Sequence, residues 1–320
     1  MVILAQAYAG LQAQALGLAE RAGLERSVHS LVPLRPWRWV PAACWPAPLA
    51  AVERLGVLPD GLVMSVGGVG AAVGAALRRR GRQVVQIQNP RMRLDRFDLV
   101  VANTHDELHG PNVLVSRNAL HRVGAGRLRD ARALWSPRFA DLPRPLVAVL
   151  VGGSNGRYRL DGPVAAKLAA QLAGMMSMDR VGLMVTPSRR TGAAVTRALE
   201  TAVAPLGGWI WDLQGENPYL GMLACADAII VTTDSVSMIS EAAATSVPVM
   251  VAALPGRSRR IELFVRTMRQ AGRVRRYGGR LEQWQTQPLD DTPAVAQEMR
   301  RRLGMRRQAD ADDGFRAGTG

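Results

Sequence analysis

Val231-Thr232-Thr233-Asp234-Ser235-Val236-Ser237-Met238-Ile239-Ser240-Glu241-Ala242-Ala243-Ala244 is the stretch on which the fold turns. It follows Ala226-Asp227-Ala228-Ile229-Ile230, a short apolar run of the kind that forms a buried parallel strand. A strand that runs into small hydroxyl residues and then a helix builds a phosphate site. The helix offers free N–H groups and the positive end of its dipole, and the hydroxyls add donors. Thr233, Asp234, Ser235, Ser237 and Met238 are the candidates for that turn. Glu241 falls about one helical turn beyond Ser237, on the same face, where a carboxylate accepts hydrogen bonds from a ribose. The plain alternative is that Asp234 or Ser235 caps a helix and Glu241 is a solvated residue.

Outward from this stretch, apolar runs alternate with helical ones. In the first half Met1–Ala7, Leu62–Val66, Gln83–Gln88 and Leu99–Ala102 read as strands. Gly67-Gly68-Val69-Gly70 follows the second of these strands and precedes a helix from Ala71 to Arg80, ended by Gly81. A proline-rich joint, Leu142-Pro143-Arg144-Pro145, precedes a second half that repeats the pattern. Its strands are Leu146–Val151, Gly182–Thr186, the run before Val231, and Pro248–Val251, with helices near Glu262–Gln270 and Thr292–Leu303. Strands separated by helices imply an α/β fold of two Rossmann-like domains facing a cleft, residues 1–142 and 143–305. The last helix has packing back on the first domain as its alternative. The segment 306–320, rich in Ala, Asp and Gly, lacks an apolar period and is expected to be disordered.

Composition narrows the function classes. The chain has 320 residues, is 48% apolar and carries a formal charge of +15. All but one of its 41 basic residues are arginine, the pattern of a GC-rich genome, and aromatic residues are only 5%, so stacking platforms for nucleic acid are few. A solvated face is the first reading of the arginine clusters and an anionic membrane surface the second; no nucleic-acid partner is expected. Arg35-Pro36-Trp37-Arg38-Trp39 suits a membrane interface, with ordinary core packing of both tryptophans as the alternative. No apolar run reaches a membrane span and the N-terminus has no basic lead-in, so a cytoplasmic protein is expected, with peripheral membrane contact at most. Cys44 and Cys225 lack metal-ligand spacing.

The strand ends carry ordered motifs: Gln86-Ile87-Gln88-Asn89-Pro90-Arg91, Phe97–Val101, His105-Asp106 with Gly110–Val113, Gly152-Gly153-Ser154, Ser188-Arg189-Arg190-Thr191, Glu216-Asn217-Pro218-Tyr219, and Thr232–Met238. Between Gly10 and Leu289 the chain resembles the glycosyltransferases related to the plant elongated-mitochondria (mitochondrial fission) protein, some bacterial members of which are lipooligosaccharide outer-core transferases. The resemblance implies a GT-B fold. It also implies that a nucleoside-diphosphate sugar binds the second half and that a glycan or lipid-linked hydroxyl is the acceptor. The chain departs from the family at Ala7-Tyr8-Ala9-Gly10, where relatives carry Gly-Lys-x-Gly, and at Asn118, where they tend to carry glycine.

Sugar transfer needs donors for the leaving diphosphate, recognition of the nucleotide, and a base. Arg189 and Arg190 suit the diphosphate because a guanidinium grips phosphate oxygens in a fork, with Gly152, Gly153, Ser154, Asn155, Ser188 and Thr191 beside them. Glu241 suits the ribose, Tyr219 or Asn217 the base, and Glu216 beside them is a further substrate-binding candidate. His105, with Asp106, is the candidate catalytic base, with a simple turn as the alternative; His121 and His109 are reserves, and Asp98, at a strand start, reads as structural. The acidic pair Asp290-Asp291 falls in an apparently peripheral segment and no DxD pair is placed to hold a metal, so no cofactor is expected. A non-catalytic adaptor is the competing reading, and a nicotinamide oxidoreductase or epimerase is set aside because Gly67–Gly70 lacks the third glycine of a dinucleotide fingerprint.

Overall fold

The computed structural model describes residues 1–305, so the expectation for 306–320 lies outside the described residues. The chain divides into two compact units, Met1–Ser116 with the segment from Asp291, and Arg117–Asp290.

The first unit contains β1 (Val2–Ala5), α1 (Ala9–Arg21), β2 (Ser27–Ser30), β3 (Val63–Val66), α2 (Gly67–Arg78), β4 (Val84–Ile87), β5 (Leu99–Asn103) and β6 (Val113–Ser116). Its sheet order is β2-β1-β3-β4-β5-β6, parallel at every pairing. β1, β3, β4 and β5 are buried along their whole length, as parallel strands covered on both faces must be. The glycine run 67–70 is the first turn of α2. Its small residues let the helix lie almost on the sheet: a Cβ on Gly74 would come within 2.6 Å of the Ser65 hydroxyl oxygen. Asp98 is structural, accepting from the Val84 N–H at 2.7 Å and pairing with Arg78 at 3.1 Å. The two tryptophans of the 35–39 segment part ways. Trp37 packs edge-on to Trp45 at 6.4 Å, while Trp39 is 65% exposed, with the Arg38 guanidinium 4.3 Å above its ring.

The second unit contains α3 (Ala125–Trp135), β7 (Leu146–Val151), α4 (Gly162–Asp179), β8 (Gly182–Pro187), α5 (Ala193–Val203), β9 (Trp209–Ile210), α6 (Tyr219–Cys225), β10 (Ala228–Thr232), α7 (Val236–Ala243), β11 (Val249–Ala252), α8 (Arg259–Gln270) and β12 (Val274–Arg276). Along β7, Val147, Val149 and Val151 join the core beneath α4 and α5. Leu146, Ala148 and Leu150 join the opposite core, beneath α6, α7 and α8. The strand order β9-β8-β7-β10-β11-β12 reverses direction between β7 and β10, and in such sheets ligands gather at that switch point, beyond the carboxyl ends of the strands.

The expected boundary at 142/143 is corrected to 116/117, because the segment before the proline joint packs into the second unit. Arg132 on α3 donates to the Ala224 carbonyl of α6 at 2.8 Å, and Trp135 fills the space that a Cβ on Gly221 would need. The chain then returns: α9 (Thr292–Arg302) belongs to the first unit. Arg300 bonds the Ala22 carbonyl at 2.7 Å, and Arg302 bonds Pro111 and Val113 carbonyls. Among the described residues no helix is long and apolar enough to cross a membrane.

Candidate functional site

At the switch point of the second unit, β7 runs out into Gly152-Gly153 and β10 ends in Thr232. Neither glycine is replaceable on steric grounds. A Cβ on Gly152 would stand 2.2 Å from the Asp234 carboxylate, and one on Gly153 would stand 2.2 Å from the Arg190 carbonyl oxygen. The close approach brings four donors together. Gly152 N–H bonds the Thr232 hydroxyl oxygen at 2.8 Å, and that hydroxyl donates to Asp234 Oδ1 at 2.7 Å. Asp234 Oδ2 accepts from Gly153 N–H at 3.1 Å and from Arg190 Nη2 at 2.8 Å. The β8–α5 loop clamps the same glycines: the Ser188 hydroxyl donates to the Gly152 carbonyl at 2.9 Å, and Thr191 to the Val151 and Gly152 carbonyls.

The remaining candidates on this side fall into three groups. Ser154 and Asn155 are turn builders: Ser154 exchanges bonds with Leu160, and Asn155 Oδ1 accepts from Arg157 and Tyr158 N–H. Thr233 donates to the Ala252 carbonyl at 2.8 Å, and Ser235 caps α7 through Met238 N–H at 3.3 Å, so the capping alternative holds for Ser235. Ser237 and Met238 sit half-buried in the first turn of α7, and Arg189 is exposed.

Glu241 is not a solvated residue. It is half-buried on α7, and the Tyr219 hydroxyl of α6 donates to its Oε2 at 2.5 Å. Burial pushes the Glu241 carboxyl up to about 7, a rise that the Tyr219 hydrogen bond partly opposes. The same burial, with the Glu241 charge, holds the Tyr219 phenol well above its usual range. Asn217 Oδ1 accepts from Tyr219 N–H at 3.0 Å and so sets the start of α6. Glu216 pairs with Arg138 at 3.0 Å on the rim of a cavity of about 370 Å³, whose walls include Trp135, Phe139, Trp209 and Trp211.

His105 lies in the other unit, on a turn after β5, and is only 3% exposed. The Asp106 carboxylate closes that turn on the Asn103 N–H at 3.2 Å, the role that the turn alternative gave it. Two residues outside the sequence candidates emerge. Asp290, read as peripheral, lies 3.5 Å from the buried ring of His121, and Asn118 bonds the Leu289 carbonyl at 3.3 Å, so the two ends of the second unit are tied together. Arg273 is fully buried and bonds the carbonyls of Ala243, Thr245 and Val247 where α7 ends. No spacing in the sequence marks either one; each depends on a contact made only in the fold.

Solved structures share this architecture. MurG from Acinetobacter baumannii superposes with a TM-score of 0.51 at 18% identity, over 96% of this chain and 91% of that one. The UDP-GlcNAc 2-epimerase of Methanocaldococcus jannaschii, in complex with UDP-GlcNAc and UDP, gives 0.55 at 11% identity, over 95% and 98%. The fold is therefore GT-B-like, two parallel α/β sheets. An epimerase is thus among the solved proteins that share this fold, so the fold does not by itself set that activity aside. A curated relative, the mitochondrial fission protein ELM1 of Arabidopsis thaliana, is 33% identical over an alignment of 278 residues that covers 77% of this chain. The match spans 64% of that relative's length. With the model of the same family matching residues 9–303, from the start of α1 to the end of α9, the chain belongs to the mitochondrial fission ELM1 family.

Proposed function

We propose that the second unit binds a nucleoside-diphosphate sugar and that the protein transfers the sugar to a hydroxyl of an envelope glycan or lipid-linked acceptor without a metal. The observation that carries this reading is the convergence at one switch point of Gly152-Gly153, Arg190, the amino end of α7 and the Tyr219–Glu241 pair. The diphosphate would meet Arg189, Arg190 and the first turn of α7. The ribose would meet the free oxygen of Glu241, and the base the aromatic cavity beside Glu216. That the archaeal epimerase of the same fold was solved with UDP-GlcNAc and UDP supports the choice of ligand class.

A panel of nucleotide-sugars and nucleoside diphosphates tests the reading by thermal unfolding. A true donor at about 100 times its Kd should stabilise the fold by ~2.7 kcal/mol. A panel without a single shift would reject the donor site. His105 is proposed as the base on the acceptor side, so His105→Ala should keep the nucleotide shift intact while sugar transfer falls. A lost shift in that variant would assign His105 to nucleotide binding or to the core instead. For the acceptor side we also propose contact with an anionic membrane through Trp39, Arg35 and Arg38, an exposed aromatic ring beneath two guanidiniums. Failure to co-sediment with anionic vesicles even at low salt would leave a soluble acceptor.

The second reading is a binding module without turnover. The altered Ala7-Tyr8-Ala9-Gly10 loop favours it, as does the engagement of Asp106 in its own turn. Nucleotide binding with no transfer to any acceptor fraction would select it.

A further inference from the structure

We propose that Asp234 is an internal anion that fills the phosphate seat at the switch point, so that the site rejects inorganic phosphate and admits only ligands that bind beside the carboxylate. The specificity role rests on the donor-site reading above; the filled seat itself rests on geometry alone.

The Asp234 side chain is completely buried, and its carboxylate is held by three donors. It is met by a backbone N–H from Gly153, a hydroxyl from Thr232 and a guanidinium nitrogen from Arg190, at 3.1, 2.7 and 2.8 Å. A glycine N–H after a first strand, a hydroxyl after the neighbouring strand and an arginine are the donor set that would hold a phosphate at a switch point. Here that set closes on the chain's own carboxylate. The absence of a side chain on Gly152 is what makes room for it, because any Cβ there would overlap both carboxylate oxygens. Seat and occupant are therefore built as a pair.

Two consequences follow for a ligand. A free phosphate arriving at Gly153 N–H meets a fixed negative charge in place of open donors. Arg190, by contrast, is pinned at one nitrogen but keeps 42% of its side chain exposed, so its outer edge is set in place for a diphosphate that is held elsewhere by its nucleoside. Asp234 is thus a positioning residue for Arg190 and a filter against small anions.

The test compares inorganic phosphate and UDP as probes, by calorimetry, on the wild-type chain and on Asp234→Asn. Removing the charge leaves Arg190 uncompensated, so phosphate should bind Asp234→Asn at least about tenfold more tightly than wild type, and phosphate should raise the Tm of the variant but not of wild type. A gain of this kind does not arise from structural damage. A folded variant with unchanged or weaker phosphate affinity overturns the proposal. Should the variant not fold, the wild-type chain decides: the Gly153 amide resonance should stay in place when phosphate is added, and a phosphate-dependent shift overturns the filled seat. Gained phosphate binding in the variant while wild type binds no nucleotide would uphold the internal anion and reject the donor site.

Discussion

Arg273→Met should cost roughly 3–5 kcal/mol of folding stability, the largest loss expected from one surface-distant substitution in the second unit. The guanidinium is buried beyond reach of water, and burial lowers its proton affinity to about 10, so it remains charged at neutral pH. It is tolerated because it bonds the carbonyls of Ala243, Thr245 and Val247 and the hydroxyl of Thr286. Ala243 ends α7, so the cation also sits at the negative end of that helix. Methionine fills much of the volume but leaves the Thr245 and Val247 carbonyls without this donor, each costing about 1–3 kcal/mol, while the Ala243 carbonyl keeps the Leu289 N–H. Urea unfolding at pH 7 reads the difference. A loss below about 1 kcal/mol would show that water replaces the guanidinium and that the residue is not a strut. Because α7 begins at the proposed donor site, the variant should also lose nucleotide affinity.

Glu241→Gln should remove a pH dependence that the wild-type chain carries between about pH 4.5 and 7. The native carboxyl is raised from the ordinary 4.5 to about 7, so in this window the folded chain holds a proton that the unfolded chain releases. Stability therefore falls as pH rises through the window and levels off above 7, by about 3 kcal/mol in total. Glutamine keeps an acceptor for the Tyr219 hydroxyl and has nothing to titrate. The stability difference between variant and wild type, measured at pH 5 and pH 8, should shift toward the variant by that amount. Equal differences at both pH values would mean that the carboxyl is hydrated and ordinary. The same ionisation should favour a ribose, so nucleotide affinity of the wild type should rise from pH 6 to 8.

The central strands were legible because parallel strands buried on both faces must be continuously apolar, as Leu146–Val151 is. The edges were not. β2 is Ser-Val-His-Ser and β12 is Val-Arg-Arg, half-exposed sequences whose strand state depends on a neighbour already in place. The helix predicted from Ala71 begins at Gly67 instead, since close contact of Gly70 and Gly74 with Leu4 and Ser65 of the sheet outweighs the weakness of glycine in helices. In the site, the turn after β10 was legible as anion-friendly, and from it Thr232 and Asp234 meet Gly152, Gly153 and Arg190, while Thr233, Ser235 and Glu241 bond elsewhere. That Asp234 would occupy those donors was not legible, since it depends on three strand ends converging. Asp290 was read as peripheral for the same reason: its partner His121 is remote in sequence and adjacent only in the fold.

The return of α9 to the first unit sets an order on biosynthesis. Val295, Ala296 and Met299 are buried there, and Arg300 and Arg302 hold the carbonyls of Ala22, Pro111 and Val113. A ribosome delivers β1 to β6 before residues 117–290, yet the helix that packs on α1 and β6 emerges only after them. Residues 117–290 form an uninterrupted unit and can close while the earlier sheet still waits for its last helix. The half made first is thus completed last, and a nascent chain that stalls before Thr292 exposes apolar surface of the first unit to chaperones and to other chains.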